Sequence, residues 1–221
     1  MEQALGTLLP IGVAAALSSV PIMATILILL SEHRNQAAIP FLVGWVLGAI
    51  ILVSVGTIAA NSIPQPRPRH ADTTASILEI LLGAALVVYS VRSMFRRDDS
   101  AGGSASKWAE AVGALGPAKS FVLGLALNSR PKGLILSAAA SLALRSAKLN
   151  VEETAVLVLV YSVIATSTVT TPIVATLVSP DWMQPRLVNA RDWLDEHGHV
   201  VTATVTLLVG VIIVGSGIGK L

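Results

Sequence analysis

Six stretches of the 221-residue chain, at about 4–30, 38–60, 74–95, 118–145, 154–178 and 199–219, are apolar over a length near or beyond that of a membrane span. A helix needs about 20 mainly apolar residues to cross the hydrocarbon core of a bilayer. Composition points the same way. The chain is 53% hydrophobic and 13% charged, against about 25% charged in ordinary soluble domains, and it is too apolar to hide its surface in one soluble globule. The sequence therefore predicts an all-α, polytopic membrane protein with six transmembrane helices.

Polar and turn-forming residues fall between these stretches. Ser31-Glu32-His33-Arg34-Asn35 makes the first connection, and Pro64-Gln65-Pro66-Arg67-Pro68-Arg69-His70 reads as a stiff, extended second one. The longest, 96–117, carries Arg96-Arg97-Asp98-Asp99 and the flexible Ser100-Ala101-Gly102-Gly103-Ser104; it divides the chain into three-helix units at 1–95 and 118–221. Before the last span, Leu187, Ala190 and Leu194 share one helical face near Trp182 and Trp193, which predicts a short helix lying in the membrane interface. The N-terminus, Met1-Glu2-Gln3, lacks the basic start of a signal peptide and is expected to be retained.

Lysine and arginine set the expected orientation. Arg34, Arg92, Arg96, Arg97, Lys107, Lys119, Arg186 and Arg191, eight in all, share one side, whereas Arg67, Arg69, Arg145, Lys148 and Lys220, five, share the other. Positive residues collect on the cytoplasmic side, which puts the 96–117 loop in the cytoplasm and both termini outside. Two units of three helices insert in opposite orientations, the condition for the inverted repeats from which many transporters are built. The interruptions then pair. Pro21, after Ser18-Ser19, breaks the first span and Pro131 the fourth; the second span carries Ser54, Gly56 and Thr57, the fifth Ser162, Thr166, Ser167, Thr168, Thr170, Thr171 and Pro172. The expected fold is two inverted three-helix repeats with broken first and fourth helices, and such pairing points to a binding site near the midplane.

Asn128-Ser129-Arg130-Pro131-Lys132 lies within the fourth stretch, so a helix breaker flanked by two cations falls where hydrocarbon should surround the chain. A charge at the centre of a spanning helix costs about 2.5–3.5 kcal/mol on insertion scales, and such residues usually face a bundle interior or an aqueous cavity. Proline also deletes a backbone donor and frees a carbonyl of the preceding turn, which needs a partner or a cavity in lipid. Freed carbonyls, the Asn128 amide, the Arg130 guanidinium and the Lys132 ammonium are expected to converge on one small volume. Arg130 offers bidentate geometry and Lys132 a point charge, while the one acid well inside a span is Glu79 in the third. Such a pocket suits an anionic headgroup, a phosphate or a carboxylate.

Ser18, Ser19, Pro21, Ser129, Pro131, Ser167, Thr170 and Glu79 complete the candidate binding set. Blander readings stand beside each. Arg130 pairs with Glu79 or snorkels to an interface with Lys132, and the Ser/Thr cluster at 166–171 bonds between helices or back to its own preceding turn. Gly44 and Gly48 read as a close helix contact, and with Gly210, Gly215 and Gly217 they would permit a homodimer. His197 and His199 read as interfacial.

Other chemistries are not expected. The absence of cysteine removes disulfides, thiol redox and thiolate metal sites. No phosphate-binding glycine loop, paired intramembrane carboxylates, HExxH or Ser/His/Asp arrangement is present, so neither an enzyme nor a cofactor or metal is anticipated. The net charge of +2 arises in connecting segments, which makes nucleic acid a poor partner.

Phe121-Val122-Leu123-Gly124 followed by Asn128-Ser129-Arg130-Pro131-Lys132-Gly133 resembles the F-x-x-G and Asn-Pro-Lys elements on the fourth helix of the LysE superfamily of six-helix exporters. The chain is most similar to its GAP, or Sap-like, branch of bacterial proteins associated with moving glycopeptidolipids and sulfolipids to the cell surface. Two departures stand out. Ser129-Arg130 separates Asn128 from Pro131, and Ser19-Val20-Pro21 stands where amino-acid exporters tend to have Pro-Gly-Pro. The resemblance implies a multi-pass protein of the bacterial plasma membrane that translocates an anionic or glycosylated lipid, with Arg130 and Lys132 gripping the head. Export of a small polar solute such as an amino acid is the second expectation. A non-transporting scaffold that organises a lipid-export complex through 96–117 is the third.

Overall fold

Proline and short polar breaks cut the apolar sequence into helices: α1 (Glu2–Ala16), α2 (Ser19–Leu30), α3 (Arg34–Ser62), α4 (Thr73–Phe95), α5 (Pro117–Leu127), α6 (Pro131–Ser146), α7 (Val151–Val178) and α8 (Pro180–Ile218). This computed structural model describes residues 2–62, 73–95, 111–112, 115–147 and 149–219. No strand occurs among the described residues. The Pro64–His70 linker and most of the 96–117 connection lie outside them.

Among the described residues four helices are long and apolar enough to cross a membrane, with spans at Arg34–Ser62, Ser76–Ser93, Val151–Val178 and Val200–Ile218. α1 and α2 make a fifth together, bent by 50° at their junction. The stretch expected as the fourth of six spans, 118–145, is divided into α5 of 11 residues and α6 of 16. At 1.5 Å per residue these are about 16 and 24 Å long, each short of the ~30 Å hydrocarbon core. On α3, Ile39, Val43, Leu47, Ile51, Val55 and Ile58 are exposed at every third or fourth position. An apolar stripe turned outward along a whole helix suits a lipid surround.

The two breaks arise differently. Arg130 is extended (φ −69°, ψ 151°) with Pro131 at the first position of α6, as steric exclusion of helical geometry before proline requires. In the first stretch the chain leaves helix at Leu17 and Ser18, Ser18 being extended (φ −111°, ψ 115°). The expectation that Pro21 interrupts this span is therefore corrected: Pro21 stands third in α2, where a missing N–H has no helical partner to lose.

The expected short interfacial helix is also corrected. Residues 181–194 form the N-terminal part of α8, one helix of 39 residues and about 58 Å at 1.5 Å per residue. Leu187 is buried and Leu194 half-buried against the core around Ile28, Phe41 and Ile173, while Ala190 is exposed. Trp182 and Trp193 lie on the exposed side, the first under the Arg186 guanidinium and the second stacked on His197.

Glycines set the closest helix approaches, α4 with α8 and α3 with α5. A Cβ on Gly83 would sit 2.8 Å from the Gly210 carbonyl oxygen, and one on Gly124 would sit 2.8 Å from the Trp45 nitrogen. Gly44 faces the Phe121 carbonyl, Gly48 the Asn128 side chain and Gly217 the Ser76 carbonyl. Of the five glycines thought free for a homodimer, four are thus spent inside the chain, and Gly215 alone of them meets open space. Leu29, Arg34, Thr176 and Pro180 line one small pocket, so the α2–α3 and α7–α8 connections share an end of the bundle.

Candidate functional site

The two breaks face each other across the bundle. Lys132, in the first turn of α6, is 6% exposed, and its Nζ donates to the Leu17 carbonyl at the end of α1, 3.1 Å away. The Ala16 carbonyl, which accepts from the Ser18 N–H at 2.9 Å, also accepts from Thr168 Oγ1 of α7 at 2.7 Å. The carbonyls that end a helix lack intrahelical partners, and here one cation and one hydroxyl from the other half of the chain bond two of those at the break. Asn128 works similarly: its Nδ2 donates to Gly124 in its own helix and to Trp45 in α3, both at 3.1 Å.

Around these contacts lies a cavity of about 250 Å³. Ser18, Ser19, Asn128, Arg130 and Lys132, chosen from sequence, all contribute to its wall. The α2 and α6 helices both begin here, so the positive ends of two helix dipoles add to the cationic side chains, and among the described residues no carboxylate lines the space. Hydroxyl groups form the rest of its polar surface, from Tyr89, Ser90 and Ser93 on α4, Ser137 on α6, Tyr161 on α7, and Thr202 and Thr206 on α8. Ser90 Oγ donates to the Ala203 carbonyl and Thr206 Oγ1 to Thr202 at 2.6 Å, while Thr202 Oγ1 accepts from the Ser19 backbone at 3.2 Å.

A second space adjoins the first. A groove of about 540 Å³ runs between α2, α5 and α8, lined by Ser19, Val20, Met23, Ala126, Leu127, Arg130, Leu194 and Asp195. Ser19, Val20, Leu127 and Arg130 belong to both walls. Arg130 is exposed and makes no ion pair among the described residues. It stands where the enclosed polar cavity meets an open, largely apolar flank.

The remaining sequence candidates lie elsewhere. Ser129 and Pro131 are exposed and shape the α5–α6 break, and Pro21 is buried in the first turn of α2, its carbonyl bonded by Thr25 at 2.7 Å. Ser167 and Thr170 back-bond to Ile164 and Thr166 at 2.7 and 3.0 Å and are absent from the cavity wall. Glu79 is buried on α4 in an interaction of its own, eleven residues before Ser90, or about 16 Å along the helix. It neither lines the cavity nor pairs with Arg130. Sequence reasoning missed Trp45, Tyr161 and the α4–α8 hydroxyls. The signal for the last was the spacing of Ser90 with Ser93 and Thr202 with Thr206, polar pairs repeating on one face of otherwise apolar helices. Among the described residues no group of three or more His, Asp or Glu gathers to hold a metal ion.

Fold and site together define a helical integral membrane protein with a cationic pocket beside a groove on its flank. A family model described as Sap, sulfolipid-1-addressing protein, matches residues 8–219. The chain belongs to that family, which associates it with the addressing of sulfolipids. No curated protein and no solved structure matches it.

Proposed function

We propose that this protein is a carrier, not an enzyme, which moves an anionic or glycosylated lipid across the plasma membrane with the headgroup in the cavity and the acyl chains in the groove. The observation that carries this is that Ser19, Val20, Leu127 and Arg130 line both spaces, which sets a polar cavity directly beside an apolar groove. A lipid needs a polar, cation-lined place for its head and an apolar side exit for its tails. A carrier of a small polar solute needs no exit of that kind.

The contacts favour inverted three-helix repeats. Exchanging α1–α2 with α5–α6, α3 with α7 and α4 with α8 maps the packing of α3 on α5 and α6 onto that of α7 on α1 and α2. It likewise maps α4 on α6 onto α8 on α2. On this reading α5 and α6 form a sixth, broken span, in keeping with the LysE-type resemblance, and the 96–117 loop is cytoplasmic with the termini outside. The pocket then lies near the midplane, where repeat interfaces place substrate.

Purified protein in liposomes containing fluorescently labelled phosphatidylglycerol, with outer-leaflet label quenched chemically, tests the proposal. The wild-type protein is expected to speed label movement between leaflets. Lys132→Gln and Arg130→Gln should each slow it about tenfold, the scale of one lost charge-assisted hydrogen bond. A wild type that moves no labelled lipid, together with an Arg130→Gln variant that behaves like it, ends this reading; full activity of Arg130→Gln with loss on deletion within 98–106 points to the scaffold.

A further inference from the structure

Four carbonyls near the two breaks receive side-chain donors. The Leu17 carbonyl receives Lys132, the Ala16 carbonyl Thr168, and the Gly124 and Trp45 carbonyls Asn128. One buried donor in the cavity wall goes unanswered. Trp45 lies on α3 between Gly44 and Gly48, is 7% exposed and lines the cavity, and its indole Nε1 is buried with no hydrogen-bond partner among the described residues. Ser76 and Ser120 also have unpartnered hydroxyls, but neither lines the cavity. A hydroxyl turns freely to seek a partner, whereas an indole N–H is fixed by its ring. A buried tryptophan normally finds an acceptor for that N–H, and leaving it without one is costly.

The close approach at Gly44 and Gly124, and the Asn128 bond to the Trp45 carbonyl, hold α3 tightly against α5 beside the break. The backbone of Trp45 is therefore held beside Asn128, and its side chain shares the cavity wall with Arg130 and Lys132. No acceptor among the described residues lies within hydrogen-bond distance of that indole nitrogen.

We propose that the Trp45 indole N–H is a headgroup donor that takes an oxygen of a phosphate or sulfate group lodged beside Lys132. The assignment rests on the reading of the cavity as a headgroup site. It adds a neutral, directional donor to the cations: Lys132 and Arg130 attract negative charge from any direction, while Trp45 fixes where one oxygen sits.

The test uses the full chain with Trp108→Phe, Trp182→Phe and Trp193→Phe, which leaves Trp45 as the sole tryptophan of the four. One arm places it in phosphatidylcholine nanodiscs with rising phosphatidylglycerol content; the other adds inorganic phosphate to the detergent-solubilised protein. Saturable change in Trp45 emission is expected in the lipid arm. A response to inorganic phosphate alone keeps the donor role and assigns it to a free anion. Separately, Trp45→Phe in the otherwise native chain should weaken binding of labelled phosphatidylglycerol about tenfold. Emission unmoved in both arms, with Trp45→Phe binding as wild type and Lys132→Gln binding weakly, overturns the role of Trp45 and leaves the headgroup site standing. A wild type that binds neither probe removes the headgroup site itself.

Discussion

Lys132 and Arg130 are two residues apart and differ in what they do for the fold. Lys132 closes the end of α1 from inside the bundle, whereas Arg130 is exposed and holds no charged partner among the described residues. Their variants should therefore separate. Lys132→Met leaves the Leu17 carbonyl bare and is expected to cost about 1–3 kcal/mol, read as a lower thermal midpoint in detergent. Arg130→Gln should change stability by no more than about 0.5 kcal/mol while slowing lipid movement. Equal midpoints for the two variants would contradict the placement of Lys132. Both residues were legible in the sequence because a cation beside a breaker within an apolar run has few destinations. Trp45 and Tyr161 were not, since a large residue in an apolar helix looks the same whether it faces lipid, core or cavity. Glu79 misled for the converse reason: a lone acid signals burial but not which partner awaits it.

At the scale of elements, the breaks and the glycine contacts position the site. Gly44 and Gly124 let α3 and α5 touch through backbone, which brings Trp45 to Asn128. Gly44→Ala drives a methyl into the Phe121 carbonyl and is expected to destabilise by about 1–3 kcal/mol. Gly215→Ala meets nothing within 4 Å and should be neutral or stabilising by up to about 1 kcal/mol, alanine being the better helix former. Thermal unfolding of the pair checks both, and a destabilised Gly215→Ala would indicate that this glycine packs against a second copy. Pattern alone announced a break in each half yet misplaced the first, because proline marks the opening turn of the following helix. The charged residues of 181–197 hid the continuity of α8, since helices that leave the apolar layer lose the signal by which spans are found.

For the molecule as a whole, helical content and membrane residence were written in the apolar runs, while the wall joining α4 to α8 depends on segments more than a hundred residues apart and has no local signature. Topology can be tested cleanly because the native chain contains no cysteine. Single cysteines at Glu32 and Lys107 are expected to resist a membrane-impermeant thiol reagent in intact cells, and those at Asn61 and Asn150 to react. The reverse pattern would invert the orientation. The Lys132 amine, bound to the last free carbonyl of α1, has a final consequence. It fastens the elbow of one half to the elbow of the other, so an anion drawing that amine away would slacken both joints at once.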